Sequence, residues 1–185
     1  MKETEITVQI FDNFSSTDKK LKSQGFEMIE NYHMCDWYFS KFKDIFEFSY
    51  AELMKNSFLV RFIDGKAKIC YKSKILDENG NVIEEEKVQT FVDDLDKALD
   101  IFKCANLNNY CVVDNESYVY KKGDIEFVIQ IIKDLGIFLE YEENATMKNM
   151  GAKEKFNYMT NVVKELKLNT GEDFSCKKVF MLLHK

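Results

Sequence analysis

Alternation of apolar and polar residues dominates most of the chain. In EITVQI at 5 to 10, Ile6, Val8 and Ile10 share one parity, while Glu5, Thr7 and Gln9 share the other with Glu3. That is the period-two signature of a strand with one buried face. Alternating or β-rich runs recur at 4 to 10, 35 to 40, 57 to 63, 66 to 73, 82 to 92, 110 to 120, 124 to 131 and 137 to 142, which predicts about eight strands. Asp64-Gly65 and Asn79-Gly80 (within DENGN, 77 to 81) are hairpin dipeptides, because a tight two-residue turn needs residues that accept positive φ. Strands 57 to 63, 66 to 73 and 82 to 92 are therefore expected to form an antiparallel meander. Helical spacing appears at 16 to 24, at 94 to 104 through Leu95, Leu99 and Phe102, at 152 to 166 through Phe156, Met159, Val163 and Leu166, and near 175 to 184. The expected fold is α+β: a closed or nearly closed antiparallel β-barrel of about eight strands with flanking helices.

Composition narrows the functional classes. With 185 residues, 45% hydrophobic and 31% charged, the chain suits one domain spanning 1–185. No proline and only seven glycines leave no linker-like tract. A net charge of −6 provides no global field to draw in DNA or RNA, so nucleic acid is not an expected partner and any anion site must be a local pocket. No stretch approaches the ~18 consecutive apolar residues of a membrane span, and MKETEITVQI has no apolar leader core, so a cytoplasmic protein without a membrane partner is expected. Five cysteines without C-x-x-C spacing read as reduced, mostly buried thiols rather than as a disulfide framework or zinc site. The sequence leaves self-association into a homodimer open.

Candidate chemistry lies in charge that shares a strand face. Lys66, Lys68, Lys72 and Lys74 have common parity, which is either a solvated lysine ladder or one wall of an anion site. Arg61 is the only arginine among 26 basic residues, and it shares parity with Leu59 and Ile63 on a partly enclosed face, where a guanidinium wants an anion. On the acidic side, Glu5 lies with Thr7 and Gln9, and Glu140 shares a face with Glu142. Carboxylates converging from separate strands repel unless a cation, Lys or Arg sits among them; the alternative is that Glu140 and Glu142 simply face water. His33 and His184 read as incidental, and Trp37, Tyr38 and Phe39 as packing.

The serial order of these features resembles the CYTH superfamily, which includes class IV adenylate cyclases and thiamine triphosphatases and belongs to the triphosphate tunnel metalloenzymes. That family opens on an E-x-E-x-K strand, and EITVQI stands in its place. Gly25-Phe26, Tyr32 and Asp36-Tyr38-Phe39 then follow in the family's order, as do FLVRF with Arg61 and ICYKSK with Tyr71 and Lys72. LGIFLEYE at 135 to 142 matches the family's L-G-x-F-L-E-I-E nearly residue for residue. The resemblance implies a tunnel that holds a triphosphate between basic side chains and a carboxylate-bound Mg²⁺ or Mn²⁺. It would assign Arg61, Lys68 and Lys72 to phosphate, Glu5, Glu140 and Glu142 to metal, and Glu5, Arg61 and Lys72 to catalysis. The implied activity is metal-dependent phosphoryl transfer, to water in a triphosphate phosphohydrolase or to a ribose 3′-hydroxyl in a class IV adenylate cyclase.

Departures from the pattern point to a degenerate site. The second Glu of E-x-E-x-K is Thr7 and its Lys is Gln9. Asp114, Asn115 and Glu116 stand where the family carries lysines and arginines, which would invert the local charge, and Gln130 replaces an acid before the L-G motif. The family's C-terminal S-Y aligns with Lys177-Lys178. Glu84, Glu85 and Glu86 align ambiguously by one residue, so which of them faces inward is open. Lys66, Lys68, Lys74 and Lys87 are available to compensate lost contacts. The alternative function is a non-catalytic barrel for another small anionic ligand or a protein partner.

Overall fold

The computed structural model describes residues 2–41, 49–76 and 82–185. Nine strands are present: β1 (Lys2–Glu3), β2 (Glu5–Ile10), β3 (Glu27–Ser40), β4 (Asn56–Ile63), β5 (Lys66–Leu76), β6 (Val82–Val92), β7 (Asn108–Lys122), β8 (Ile125–Ile132) and β9 (Gly136–Glu142). The helices are α1 (Phe14–Ser23), α2 (Tyr50–Lys55), α3 (Leu95–Cys104), α4 (Ala152–Glu165) and α5 (Lys178–Leu183). In hydrogen-bonded order the sheet runs β1-β6-β5-β4-β3-β7-β8-β9-β2, and its two edge strands are consecutive in the chain, separated only by Thr4. Among the described residues nine strands take this order, and the expected α+β architecture of an antiparallel sheet with flanking helices is present.

The chain divides into two compact units, the first comprising residues 1–2, 33–114 and 179–185 and the second residues 3–32 and 115–178. In the first, β3, β4, β5 and β6 form the expected antiparallel meander. Asp64 (φ 45°) and Gly65 (φ 79°) turn β4 into β5, as the dipeptide required. The turn read at DENGN, 77 to 81, lies outside the described residues. Phe39 and Val60 on one face of this meander pack with Ala98 and Phe102 of α3, and Trp37, Ile69 and Val92 add to the cluster. Asp94 caps α3 by accepting from Lys97 N at 3.0 Å.

In the second unit β7, β8, β9 and β2 pair in antiparallel succession. Ile6, Val8 and Ile10 of β2, Leu139 and Tyr141 of β9 and Phe127 and Ile129 of β8 bury one face against Leu21 of α1 and Met159 and Val163 of α4. Two segments of backbone were not legible. β3 begins at Glu27, eight residues before the predicted start, and α2 is a short helix with a Ser49–Glu52 capping box.

Candidate functional site

Each unit turns one sheet face to its helices, which leaves the opposite face to polar chemistry. In the first unit the registers Asp36↔Arg61↔Lys68↔Phe91, Leu59↔Cys70↔Gln89 and Ser57↔Lys72↔Lys87 put these residues on one face, with Lys74↔Glu85 beyond them. Arg61, Lys68 and Lys72, all assigned to phosphate by resemblance, are therefore brought together. Lys74 and Lys87 join them, and Lys66 stands at the open end of the same row.

The lysine row is not a simple solvated ladder. Lys72 and Lys74 are 9% and 8% exposed, and both ammonium groups grip the buried Glu85, at 2.9 Å from Oε1 and 3.2 Å from Oε2. Burial works to raise the Glu85 carboxyl, but the charges and hydrogen bonds of Lys72 and Lys74 outweigh it and hold its pKa down at about 2. The register also resolves the one-residue ambiguity: Glu85 faces the lysines, Glu86 is exposed on the other face, and the Glu84 side chain lies outside what is described. Lys68 Nζ sits 4.9 Å from the centre of the Phe91 ring.

Arg61 does have an anion, and it is internal. Its Nε and Nη2 donate to Asp36 Oδ1 and Oδ2, each at 2.7 Å. Burial would lower the guanidinium's pKa; Asp36 beside it more than reverses this and raises it. These two bonds use two of the guanidinium's five N–H donors. Asp36, read from the sequence only as part of a motif, thus orients the arginine.

The second unit gathers the acids. Glu5 stands opposite Glu142, and Thr7 opposite Glu140, on the face that also carries Gln9 and Gln130. Glu142 is exposed and Glu5 half-buried. Glu140 does not simply face water: its Oε1 is contacted by Lys178 Nζ, its Oε2 accepts from Gln130 Nε2 at 2.7 Å, and Gln130 Oε1 accepts from Lys178 Nζ at 2.7 Å. A groove of about 480 Å³ opens here, lined by Glu30, Asp124, Glu126, Glu140, Glu142 and Glu143 among others. Its lining is strongly acidic, with Lys121 paired to Glu126 at 3.2 Å and Lys155 to Glu143 at 2.7 Å. Among the described residues no three Asp, Glu, His or Cys side chains gather tightly enough to hold a metal ion.

Two readings of the departures need correcting. The charge inversion expected of Asp114, Asn115 and Glu116 does not reach the polar face: Glu116 is exposed on the opposite side of β7, and Asp114 accepts from His33 Nε2 at 2.6 Å. What faces Gln130 is neutral, namely Ser117, whose hydroxyl donates to Asn115 Oδ1 at 2.7 Å. Lys178, noted only as a mismatch, is the cation that Glu140 needs. Its signal was invisible in the sequence because the pairing spans 38 residues and belongs to no strand register.

The first unit thus carries a cationic strand face and the second a carboxylate-bearing one. No protein-family model matches the chain. A protein of Methanocaldococcus jannaschii provisionally named an adenylate cyclase is 29% identical over 99% of this chain and 98% of its own length. Among solved structures, a conserved hypothetical protein from Pyrococcus furiosus has a TM-score of 0.72 at 20% identity, covering 98% of this chain and 99% of that one. One from Hippeastrum, provisionally named an adenylyl cyclase and reported to have a dominant triphosphatase activity, has a TM-score of 0.60 at 14% identity, covering 98% and 95%. With the motif order from EITVQI to FLEYE, these likenesses support the resemblance to the CYTH superfamily. Among the described residues no helix is long and apolar enough to cross a membrane.

Proposed function

We propose that this protein binds an organic triphosphate on the cationic face of β4, β5 and β6, and that its activity is of the adenylate cyclase or triphosphatase kind. One observation carries the reading. Among the described residues, Arg61, Lys66, Lys68, Lys72, Lys74 and Lys87 share that face with two carboxylates, Asp36 and Glu85. The surplus of four positive charges matches the roughly four negative charges of a triphosphate near neutral pH. The acidic groove of the second unit would repel the same ligand. The names of the Methanocaldococcus and Hippeastrum proteins favour the same ligand class.

The reaction is then displacement at phosphorus. Water as nucleophile would release phosphate, and the ribose 3′-hydroxyl would release pyrophosphate. Arg61, held by Asp36, and Lys72, held by Glu85, would orient the phosphate chain and offset charge developing on its oxygens. The Mg²⁺ or Mn²⁺ that the resemblance implies would fall to Glu5, Glu140 and Glu142. Those residues do not fit it as arranged, because both Glu140 oxygens are engaged by Lys178 and Gln130, and Thr7 supplies no carboxylate opposite. The second reading, a protein that binds the anion without turning it over, is favoured by these same contacts.

Calorimetric titration with ATP, thiamine triphosphate and inorganic tripolyphosphate tests binding, and release of phosphate, pyrophosphate or cyclic nucleotide tests turnover. Binding of at least one triphosphate is expected, weakened tenfold or more in Lys72→Met, since a charged contact to phosphate is worth about 1.5 to 3 kcal/mol. Absence of binding to all three would reject the reading. Binding without product selects the non-catalytic form.

A further inference from the structure

The polar face of the second unit is built around a lysine where a metal-binding relative would need a metal. We propose that Lys178 is a tethered counter-cation for Glu140, standing in the place that a divalent ion would have to take. Three contacts close a ring: Lys178 Nζ on Glu140 Oε1, Gln130 Nε2 on Glu140 Oε2, and Lys178 Nζ on Gln130 Oε1. The partners are well covered, with side-chain exposures of 19% for Lys178 and 16% for Glu140, and Gln130 is 2% exposed. Inside such a face an ammonium and a carboxylate neutralise each other, and Gln130, donating to one and accepting from the other, fixes both.

The chain supplies the reason Lys178 arrives there. Thr7 N donates to Phe174 O at 3.0 Å, and Cys176 N donates to Thr7 O at 3.0 Å, so residues 174 to 176 are laid beside β2. Thr7 is also the residue directly opposite Glu140. The position that lacks the second carboxylate of E-x-E-x-K is thus the position whose backbone delivers the lysine two residues further on. Mg²⁺ or Mn²⁺ requires several oxygen ligands, usually with more than one carboxylate. Here a divalent ion would have to expel Lys178 and would find a threonine hydroxyl where the second carboxylate belongs.

The inference does not depend on the identity of the anion bound by the first unit, and its test reads metal binding alone. Metal-stripped full-length protein is titrated with Mn²⁺, following free Mn²⁺ by its electron paramagnetic resonance signal, for wild type, Glu140→Gln, Lys178→Met and Lys178→Met/Glu140→Gln. Wild type and Glu140→Gln should bind Mn²⁺ alike and no tighter than roughly millimolar, while Lys178→Met gains about tenfold or more in affinity. The double variant should lose that gain. Micromolar binding by wild type that Glu140→Gln abolishes would overturn the proposal, as would a folded Lys178→Met with no gain. If Lys178→Met does not fold, the wild-type and Glu140→Gln pair still decides: equal weak binding supports it, a loss rejects it.

Discussion

Asp36 and Arg61 stand directly across from one another on β3 and β4, and two parallel hydrogen bonds of 2.7 Å fasten the carboxylate to the guanidinium. Asp36 is 2% exposed and the arginine side chain 20%. A pair this well covered is held less for stability than for position, since desolvating both charges consumes most of what their attraction returns. What the pair secures is a guanidinium whose direction is fixed and whose charge cannot be lost.

Removing one partner should therefore be far worse than never having had the pair. Asp36→Asn leaves Arg61 charged and buried without its carboxylate, and a loss of about 3 kcal/mol in unfolding free energy is expected. Urea denaturation followed by circular dichroism measures it. The double variant Asp36→Leu/Arg61→Met should recover much of that stability while failing to bind tripolyphosphate.

Glu85 makes the first unit sensitive to acid. The folded-state pKa is held down at about 2, below the ordinary carboxylate value of 4.5, so the linked stability is complete above about 4.5 and is lost as pH falls toward 2. The loss is expected to reach at most about 3 kcal/mol. Chemical denaturation at a series of pH values between 7 and 2.5 should show the slope in wild type. In Glu85→Gln the slope should be shallower and stability at pH 7 lower, because Lys72 and Lys74 then share a buried site with no carboxylate between them.

The two classes of charge on the cationic face predict different salt behaviour. Lys66 and Lys68 are more open to solvent than Lys72 and Lys74. Lys68→Met is expected to weaken tripolyphosphate binding by roughly tenfold at low salt and by less as ionic strength approaches 0.5 M, because exposed charges are screened. For Lys72→Met the loss should persist at high salt. Calorimetric titrations at 0.05 and 0.5 M NaCl separate the two cases.

How much of this was legible depended on whether a residue's partner lay within reach of a pattern. Ile6, Val8 and Ile10 alternate because one face of β2 is buried, so the strand could be read, and the Asp64-Gly65 turn could be read because its positive φ values admit few residues. The first half of β3 could not. From Glu27 to His33 its side chains are exposed or half-buried on both faces, so no alternation is imposed on the sequence. The grouping of Arg61, Lys68 and Lys72 followed from parity plus hairpin register. Parity read without that register misplaced Glu116, which points away from the polar face. Lys178 carried no pattern at all, because its place beside Glu140 is set by the bridge from Thr7 to residues 174 to 176.

That bridge yields the last prediction. Thr7 is 5% exposed and opposite Glu140, so Thr7→Glu restores the second acid of the family motif beside a carboxylate whose charge Lys178 already balances. One ammonium cannot neutralise two carboxylates, and the pair should share a proton, with one carboxyl pKa raised above the ordinary range. A group raised in this way penalises folding most at high pH, where it must ionise, and the penalty fades as pH falls below the raised pKa. The Thr7→Glu protein should be about 1 to 3 kcal/mol less stable than Thr7→Gln at pH 8 and should approach it near pH 5, in parallel denaturant titrations. An equal gap at both pH values would mean that the new side chain clashes rather than titrates, and that Glu140 and residue 7 do not share one electrostatic site.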